Sequence, residues 1–124
     1  MTATLRCEIF PADLDRTVDF YVRVLDFTLL RDERHDDVAY VHMRRGGVFV
    51  GARGHSGAAP DALRRPPVGV ELVLEIDDLD RERERIVAAG WPLSDDLTEQ
   101  SWGLRDFRLL DPDGYYWRIT THGQ

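Results

Sequence analysis

The tetrapeptide DLDR occurs twice in this sequence, at residues 13–16 and again at residues 78–81. Apolar residues follow each copy at helical spacing, and an aspartate stands where a helix N-cap is expected, Asp13 in the first copy and Asp78 in the second. A strand-like segment precedes each predicted helix, TLRCEIF in the first half and VGVELVLEI in the second. The spacing therefore predicts that the chain is built from two copies of one structural unit.

Three alternating apolar segments follow each predicted helix. They read FTLLRD, DVAYVHM and GGVFVGA in the first half, and WPLSDD, LRDFRLL and YYWRITT in the second. Turn-forming residues separate them, and Gly90 is placed to end the second helix. Each half is thus predicted to be a βαβββ module of an α+β protein. Module 1 covers residues 1–53, a linker rich in Gly, Ala and Pro covers 54–67, and module 2 covers 68–124. Because a half of roughly 55 residues buries little core, we expect the two modules to form one structural domain.

The composition argues against some classes of binding partner. The chain has 16 basic residues, all of them arginine, and 23 acidic residues, for a formal net charge of −7 at pH 7. We therefore expect no binding to nucleic acid, whose phosphates require a basic surface. No apolar run approaches the roughly 20 residues that a membrane span needs, and the first residues lack the pattern of a signal peptide. Cys7 is the single cysteine, which excludes an internal disulfide, and we expect a cytoplasmic protein without membrane association.

Three motifs give the sequence a resemblance to a known superfamily. They are TVDFYVRVLDF at 17–27, EQSWG at 99–103 and RDFRLLDPDGYYWRI at 105–119. Together with the duplicated module, they resemble the vicinal-oxygen-chelate superfamily, which contains glyoxalase I, extradiol dioxygenases, fosfomycin-modifying enzymes and bleomycin resistance proteins. The EQSWG segment is similar to the bleomycin resistance proteins in particular. The resemblance implies an eight-stranded cleft that a second subunit often completes, so we expect a homodimer, and an exchange of modules between its chains is left open.

The resemblance also implies where a metal ion would bind. Enzymes of the superfamily hold a divalent metal through His, Glu or Gln on the first and last strands of each module. Counting from the DLDR repeats and from the hairpin glycines, these positions are Arg6, Gly51, Glu71 and Arg118. Guanidinium has no lone pair to donate and glycine has no side chain, so we expect neither a metal nor another cofactor. Arg6, Glu71 and Arg118 either neutralise one another in the sheet or contact a polar group of a ligand.

Strand alternation predicts which side chains face a ligand and which face the core. Trp102 lies in a polar loop, and the resemblance implies that it stacks on a planar ligand, as the tryptophan of the matching segment does in bleomycin resistance proteins. His42 is either structural or a general base, and Cys7 is expected in the core. Residues predicted to pack against the helices are Val70, Leu72, Leu74, Ile76, Trp117 and Ile119. The predicted ligand-binding residues are Arg6, Glu8, Phe10, Tyr40, His42, Phe49, Glu71, Val73, Trp102, Tyr116 and Arg118.

Aromatic rings beside carboxylates suit a planar ligand with positive charge. Bleomycin binders have a second stacking tryptophan near the position of Val73, which argues against bleomycin itself but not against other bulky aromatic natural products. We therefore expect a metal-free protein of the bleomycin resistance type, which sequesters such an antibiotic without catalysis. The alternative is a metal-independent lyase or isomerase acting on a small metabolite or biosynthetic intermediate, with His42 and Glu71 as acid-base groups and Arg6 or Arg118 binding a carboxylate or enolate.

Overall fold

The computed structural model describes residues 3–54 and 67–122, and the chain divides into two compact units, residues 1–65 and 66–124. Most of the predicted linker, with His55, lies outside the described residues. None of the helices that the structure describes is long and apolar enough to cross a membrane.

Each unit has the predicted βαβββ order. Module 1 contains β1 (Cys7–Ile9), α1 (Leu14–Asp19) with a π-helical turn (Phe20–Val24), β2 (Thr28–Glu33), β3 (Tyr40–Arg45) and β4 (Val48–Arg53). Module 2 contains β5 (Leu72–Ile76), α2 (Leu79–Ala88), β6 (Asp95–Glu99), β7 (Arg105–Leu110) and β8 (Tyr116–Thr121). The sheet orders are β1-β4-β3-β2 and β5-β8-β7-β6, and in both the first strand runs parallel to the last. The predicted α+β fold class, with two tandem βαβββ modules, is confirmed.

The helix ends are where the sequence places them. Asp13 Oδ1 accepts hydrogen bonds from the backbone N–H groups of Asp15 and Arg16 at 3.1 and 3.2 Å, and Asp78 Oδ1 accepts one from Arg81 at 3.1 Å. These bonds satisfy donors that a helix N-terminus otherwise leaves without partners. The helices end at residues with left-handed backbone, Asp26 at φ 62° and Gly90 at φ 82°.

The helix of module 1 differs from that of module 2 by one residue. Asp26 lies thirteen residues after Asp13, whereas Gly90 lies twelve residues after Asp78. The extra residue is accommodated in the π-helical turn, where the Leu25 N–H donates to the Phe20 carbonyl, five residues back, at 3.0 Å. The apolar spacing does not distinguish an α-helix from an α-helix with one π turn, so the sequence did not predict this turn.

One face of each sheet packs against its helix and forms the core. In module 1 the rings of Phe20, Tyr21 and Phe27 meet edge to face, at centroid distances of 5.0 and 5.7 Å around Tyr21. In module 2 Trp117 and Ile119 are buried as predicted. Buried apolar residues alternate along the strands, and this apolar set in the two sheets is Ile9, Val41, Met43, Val50, Ala52, Leu74, Ile76, Phe107, Leu109, Trp117 and Ile119.

Two core predictions are wrong. Val70 is 50% exposed, because β5 begins only at Leu72 and the segment before it has no sheet partner to fix its alternation. Cys7 is half-buried rather than buried, since it is the first residue of a three-residue edge strand.

Candidate functional site

The sheet face opposite the helix, called here the open face, carries most of the predicted ligand-binding residues in both modules. In module 1 a row of paired positions crosses the sheet from β1 to β3, with Glu8 opposite Gly51 and Gly51 opposite His42. The matching row of module 2 has Val73 opposite Arg118 and Arg118 opposite Arg108. The two rows occupy the same place in their sheets but carry different chemistry.

Gly51 leaves a gap in the open face of module 1, and two neighbouring side chains fill it. The Tyr40 hydroxyl lies 3.1 Å from both carboxylate oxygens of Glu8 and donates to them. A Cβ atom at Gly51 would lie 1.8 Å from Glu8 Oε2 and 2.2 Å from the Tyr40 oxygen. Burial and the hydrogen bond to Glu8 raise the pKa of Tyr40 above its usual value. The pair therefore occupies the space that any larger side chain at residue 51 would need.

An aromatic surface lies beside this pair. The rings of His42 and Phe49 are stacked at a centroid distance of 5.6 Å and an interplanar angle of 25°, and the Arg44 guanidinium lies 5.7 Å from the centre of the Phe49 ring. The His42 Nε2 atom is buried without a hydrogen-bond partner among residues 3–54 and 67–122.

The other predicted residues of module 1 lie towards the margins of the open face. Arg6 Nε lies 3.7 Å from Glu8 Oε2, so the nearest carboxylate to this arginine within its own module is Glu8. Phe10 follows β1 and is exposed. The edge strand β2 adds an ion pair between Arg31 and Glu33 at 2.8 Å.

The open face of module 2 carries a compact ionic cluster. Glu71 lies between two arginines, with Oε1 2.9 Å from Arg118 Nε and Oε2 3.2 Å from Arg108 Nε. The Arg108 contact is a hydrogen bond, whereas the Arg118 contact is close but not aligned as one. The predicted proximity of Glu71 and Arg118 is therefore observed, and the second arginine that contacts Glu71 is Arg108.

Asp106 connects this cluster to the loop between β6 and β7. It is only 1% exposed, and its Oδ2 atom lies 3.7 Å from both Arg108 and Arg118. Its Oδ1 atom accepts a hydrogen bond of 2.9 Å from Gln100 Nε2. A buried carboxylate is costly unless it is paired, and the Gln100 hydrogen bond and the two ion pairs offset part of that cost. The Oδ2 atom itself has no hydrogen-bond partner among the described residues.

Trp102 lies in the turn that follows Gln100 and is 56% exposed, as expected for a ligand contact and unlike Trp117 in the core. The Gly103 N–H donates to the Gln100 carbonyl at 3.0 Å, and the Gln100 N–H donates to the Leu104 carbonyl at 2.8 Å. The φ of 92° at Gly103 belongs to a region that other residues rarely adopt. The turn thus presents a large aromatic side chain to solvent on a hydrogen-bonded backbone.

The residues at the four positions that the superfamily uses for metal ligands do not fit a metal ion. Gly51 offers no donor atom, and the space beside it is filled by Glu8 and Tyr40. Arg118 is a permanent cation, and the carboxylate of Glu71 is already engaged by two guanidinium groups. Within the described ranges, no three His, Cys, Asp or Glu side chains are grouped to hold a metal.

Sequence reasoning missed Gln100, Asp106 and Arg108. A signal for the last two was present, because strand alternation in RDFRLL places them on the face opposite Phe107 and Leu109. Nothing in the sequence could have shown that Gln100 reaches Asp106, since that contact depends on the shape of a turn.

Comparison with known proteins agrees with this architecture. The chain is 28% identical over 116 residues to the uncharacterized protein Mb0911c of Mycobacterium bovis, with 86% of this chain and 75% of that protein aligned. TioX from Micromonospora sp. ML1 has a similar structure, with a TM-score of 0.77, 26% identity, and coverage of 98% of this chain and 100% of TioX. Lactoylglutathione lyase from Agrobacterium tumefaciens shares the fold alone, with a TM-score of 0.73, 18% identity, and coverage of 98% and 94%.

The match to a protein family extends over nearly all of both modules. The sequence profile of the Glyoxalase/Bleomycin resistance protein/Dioxygenase superfamily matches residues 4–119, from before β1 into β8, and the range includes every predicted ligand-binding residue from Arg6 to Arg118. The resemblance inferred from the three motifs is thereby confirmed, and the protein belongs to this superfamily.

Proposed function

We propose that this protein binds a bulky aromatic natural product without a metal ion and without changing it chemically, as a sequestering protein of the bleomycin resistance type. The observation that carries the proposal is the filled gap at Gly51, where Glu8 and Tyr40 occupy the place of a metal-ligand side chain. A chain with this donor set retains the scaffold of the superfamily but not its means of binding a metal. Sequestration requires only affinity for the ligand, so the donor set does not count against it.

The exposed indole of Trp102 provides the flat surface that such a ligand needs. The charges on the open face of the same module favour a cationic ligand group. Two arginines and four carboxylates lie on the open face of module 2, giving a formal charge of about −2 when all are ionised. The corresponding face of module 1 has four arginines and two carboxylates. The charged residues are Arg108, Arg118, Glu71, Glu75, Asp95 and Asp106 in module 2, and Arg6, Arg31, Arg44, Arg53, Glu8 and Glu33 in module 1.

A homodimer in the cytoplasm is part of the proposal. Light scattering coupled to gel filtration measures the mass directly, and a mass of one 14.3 kDa chain at micromolar concentration would contradict the dimer.

The test is a titration followed by intrinsic tryptophan fluorescence. The panel contains bleomycin, an anthracycline, an enediyne-derived aromatic and small α-keto acids, and the bound compound is recovered and weighed by mass spectrometry. We expect an aromatic compound other than bleomycin to bind and to be returned unchanged, with an affinity that falls at least tenfold in Trp102→Ala.

Val87→Ala is the matched control, because Val87 is also a large exposed apolar residue but lies on α2, away from the open face. It should leave the affinity unchanged. Return of a chemically altered compound, or aromatic binding that Trp102→Ala does not weaken, would contradict sequestration through Trp102.

One observation favours the alternative of a metal-independent enzyme. The His42 Nε2 atom has no hydrogen-bond partner in the described chain, and an imidazole nitrogen of this kind can accept a proton from a substrate. Glu71 is less suited to that role, since both its oxygens are engaged by arginines. Turnover of a small acid that is lost in His42→Gln and retained in Trp102→Ala would favour the enzyme, and the same panel provides this measurement.

A further inference from the structure

Gln100 makes hydrogen bonds through its backbone N–H, its backbone carbonyl and its side chain. Its backbone N–H and carbonyl close the turn through Leu104 and Gly103, and its side chain donates to Asp106 at 2.9 Å. The backbone bonds depend little on the side chain and would persist in most substitutions. The side-chain bond is different, because it ties the turn to a carboxylate on the neighbouring strand β7.

The residue that accepts this bond is buried. Asp106 is nearly fully buried and lies between the guanidinium groups of Arg108 and Arg118, which also bracket Glu71. A buried carboxylate with these neighbours has few alternative positions, since moving it away from them would leave charge unpaired in the interior. Gln100 therefore fixes the turn to the ionic cluster of module 2.

The side chain that this turn presents is Trp102, whose indole is exposed and has no hydrogen bond or ring contact within the described residues. An exposed aromatic side chain on an unrestrained turn would lose conformational freedom when it stacks on a ligand, which weakens binding. A turn that is already fixed reduces that loss.

We propose that Gln100 is a positioning residue that holds the turn of Trp102 in its ligand-binding conformation through Asp106. This inference rests on the proposed role of Trp102 in binding. Gln100 itself touches no ligand in this arrangement. It acts by fixing the backbone two residues before the indole, and the hydrogen bond to Asp106 is the element that transmits this restraint.

The chain offers a test in which donor and acceptor are exchanged. In Gln100→Glu a carboxylate faces Asp106, the hydrogen bond is lost, and two like charges lie side by side. In the double variant Gln100→Glu with Asp106→Asn, the new asparagine donates to the new glutamate, and the net charge of the pair is unchanged. Losses that arise independently at the two residues would be additive, whereas the loss of one shared hydrogen bond predicts rescue by the exchange. The mobility of Trp102 and the ligand affinity then show whether that bond positions the turn.

Two measurements are made on each variant. The first needs no ligand: with 5-fluorotryptophan incorporated, the ¹⁹F relaxation of Trp102 reports its mobility, and Trp91 and Trp117 serve as internal references. The second is the affinity for daunorubicin, a planar aromatic amine. We expect Gln100→Glu and Gln100→Leu to increase the mobility of Trp102 and to weaken daunorubicin binding about tenfold. The double variant should recover part of both, because it restores the hydrogen bond but removes the Asp106 charge beside Arg108 and Arg118.

Ser101→Ala is the matched control, because Ser101 is exposed in the same turn, and it should change neither quantity. Unchanged mobility of Trp102 in the Gln100 variants, or a double variant no better than Gln100→Glu, would overturn the positioning role while leaving the proposed function intact. Increased mobility without binding of any aromatic compound of the panel to the unmodified protein would instead contradict aromatic binding at Trp102, and with it the functional part of this inference. If Gln100→Glu does not fold, Gln100→Leu alone decides the mobility measurement.

Discussion

The two modules place different chemistry on equivalent positions of the same sheet. Where module 1 has Tyr40 on its third strand, module 2 has Asp106, and where module 1 has Gly51 on its last strand, module 2 has Arg118. On the open face of module 1, the Tyr40 hydroxyl donates to Glu8, and the rings of His42 and Phe49 stack beside them. On the open face of module 2, Arg108 and Arg118 form ion pairs with carboxylates. The shared backbone fixes the face on which each side chain lies. The interactions that stabilise those side chains differ between the two modules.

The largest expected effect is a difference in the free energy of unfolding between variants of Asp106 and of Tyr40, its counterpart in module 1. Removing a buried charge leaves its partners without compensation, so Asp106→Ala should lower the free energy of unfolding by about 3 kcal/mol. Tyr40→Phe removes one hydrogen bond to the Glu8 carboxylate on a partly exposed face, where solvent screens the charge, and should cost about 1 kcal/mol. Urea denaturation of the two variants measures both values. Equal losses would mean that the ionic cluster is no more tightly coupled than the Tyr40–Glu8 pair.

A smaller effect is expected at Gly51. In Gly51→Ala the new methyl group requires Glu8 and Tyr40 to move, and since both are flexible side-chain ends, the cost should be the lost hydrogen bond, about 1 kcal/mol. Gly47→Ala is the matched control, because a Cβ there meets no atom within 4 Å. Thermal unfolding compares the two variants. A fully stable Gly51→Ala protein would show that the pair contributes nothing to folding.

The smallest effect is expected in alkaline solution. Because the folded chain raises the pKa of Tyr40, both the folded and the unfolded states keep the phenol proton below the usual value of 10.0. Above that pH the unfolded chain loses its proton first, so the free energy of unfolding falls as the pH rises towards the raised pKa of the folded state. Tyr40→Phe should lose less stability over this range than the unmodified protein. An identical alkaline decline in the two proteins would exclude a contribution from Tyr40.

Much of the fold followed from the sequence, because its signals are local. Aspartate caps, glycine turns and strand alternation act over a few residues, and they placed Asp13, Asp78, Gly90 and Trp117 correctly. Val70 was misplaced because alternation was continued beyond the first residue that has a sheet partner.

The site was less predictable because its contacts join residues far apart in the chain. The internal repeat correctly predicted that Glu71 and Arg118 lie together, since both positions follow from it. It could not assign Arg108 as the second partner of Glu71, because the reach of an arginine across a strand depends on side-chain conformation. Nor could it show that Tyr40 and Glu8 would fill the space beside Gly51.

The π-helical turn allows the helix of module 1 to contain one more residue than the helix of module 2. Inserting one codon into a helix rotates everything beyond it by about 100°, which would turn the apolar stripe away from the sheet. In module 1 the wider turn at Phe20–Val24 absorbs that rotation where it arises, and the helix still ends at a left-handed residue before β2. Copies of a duplicated gene segment can therefore drift apart in length inside a helix while their strands keep a common pairing.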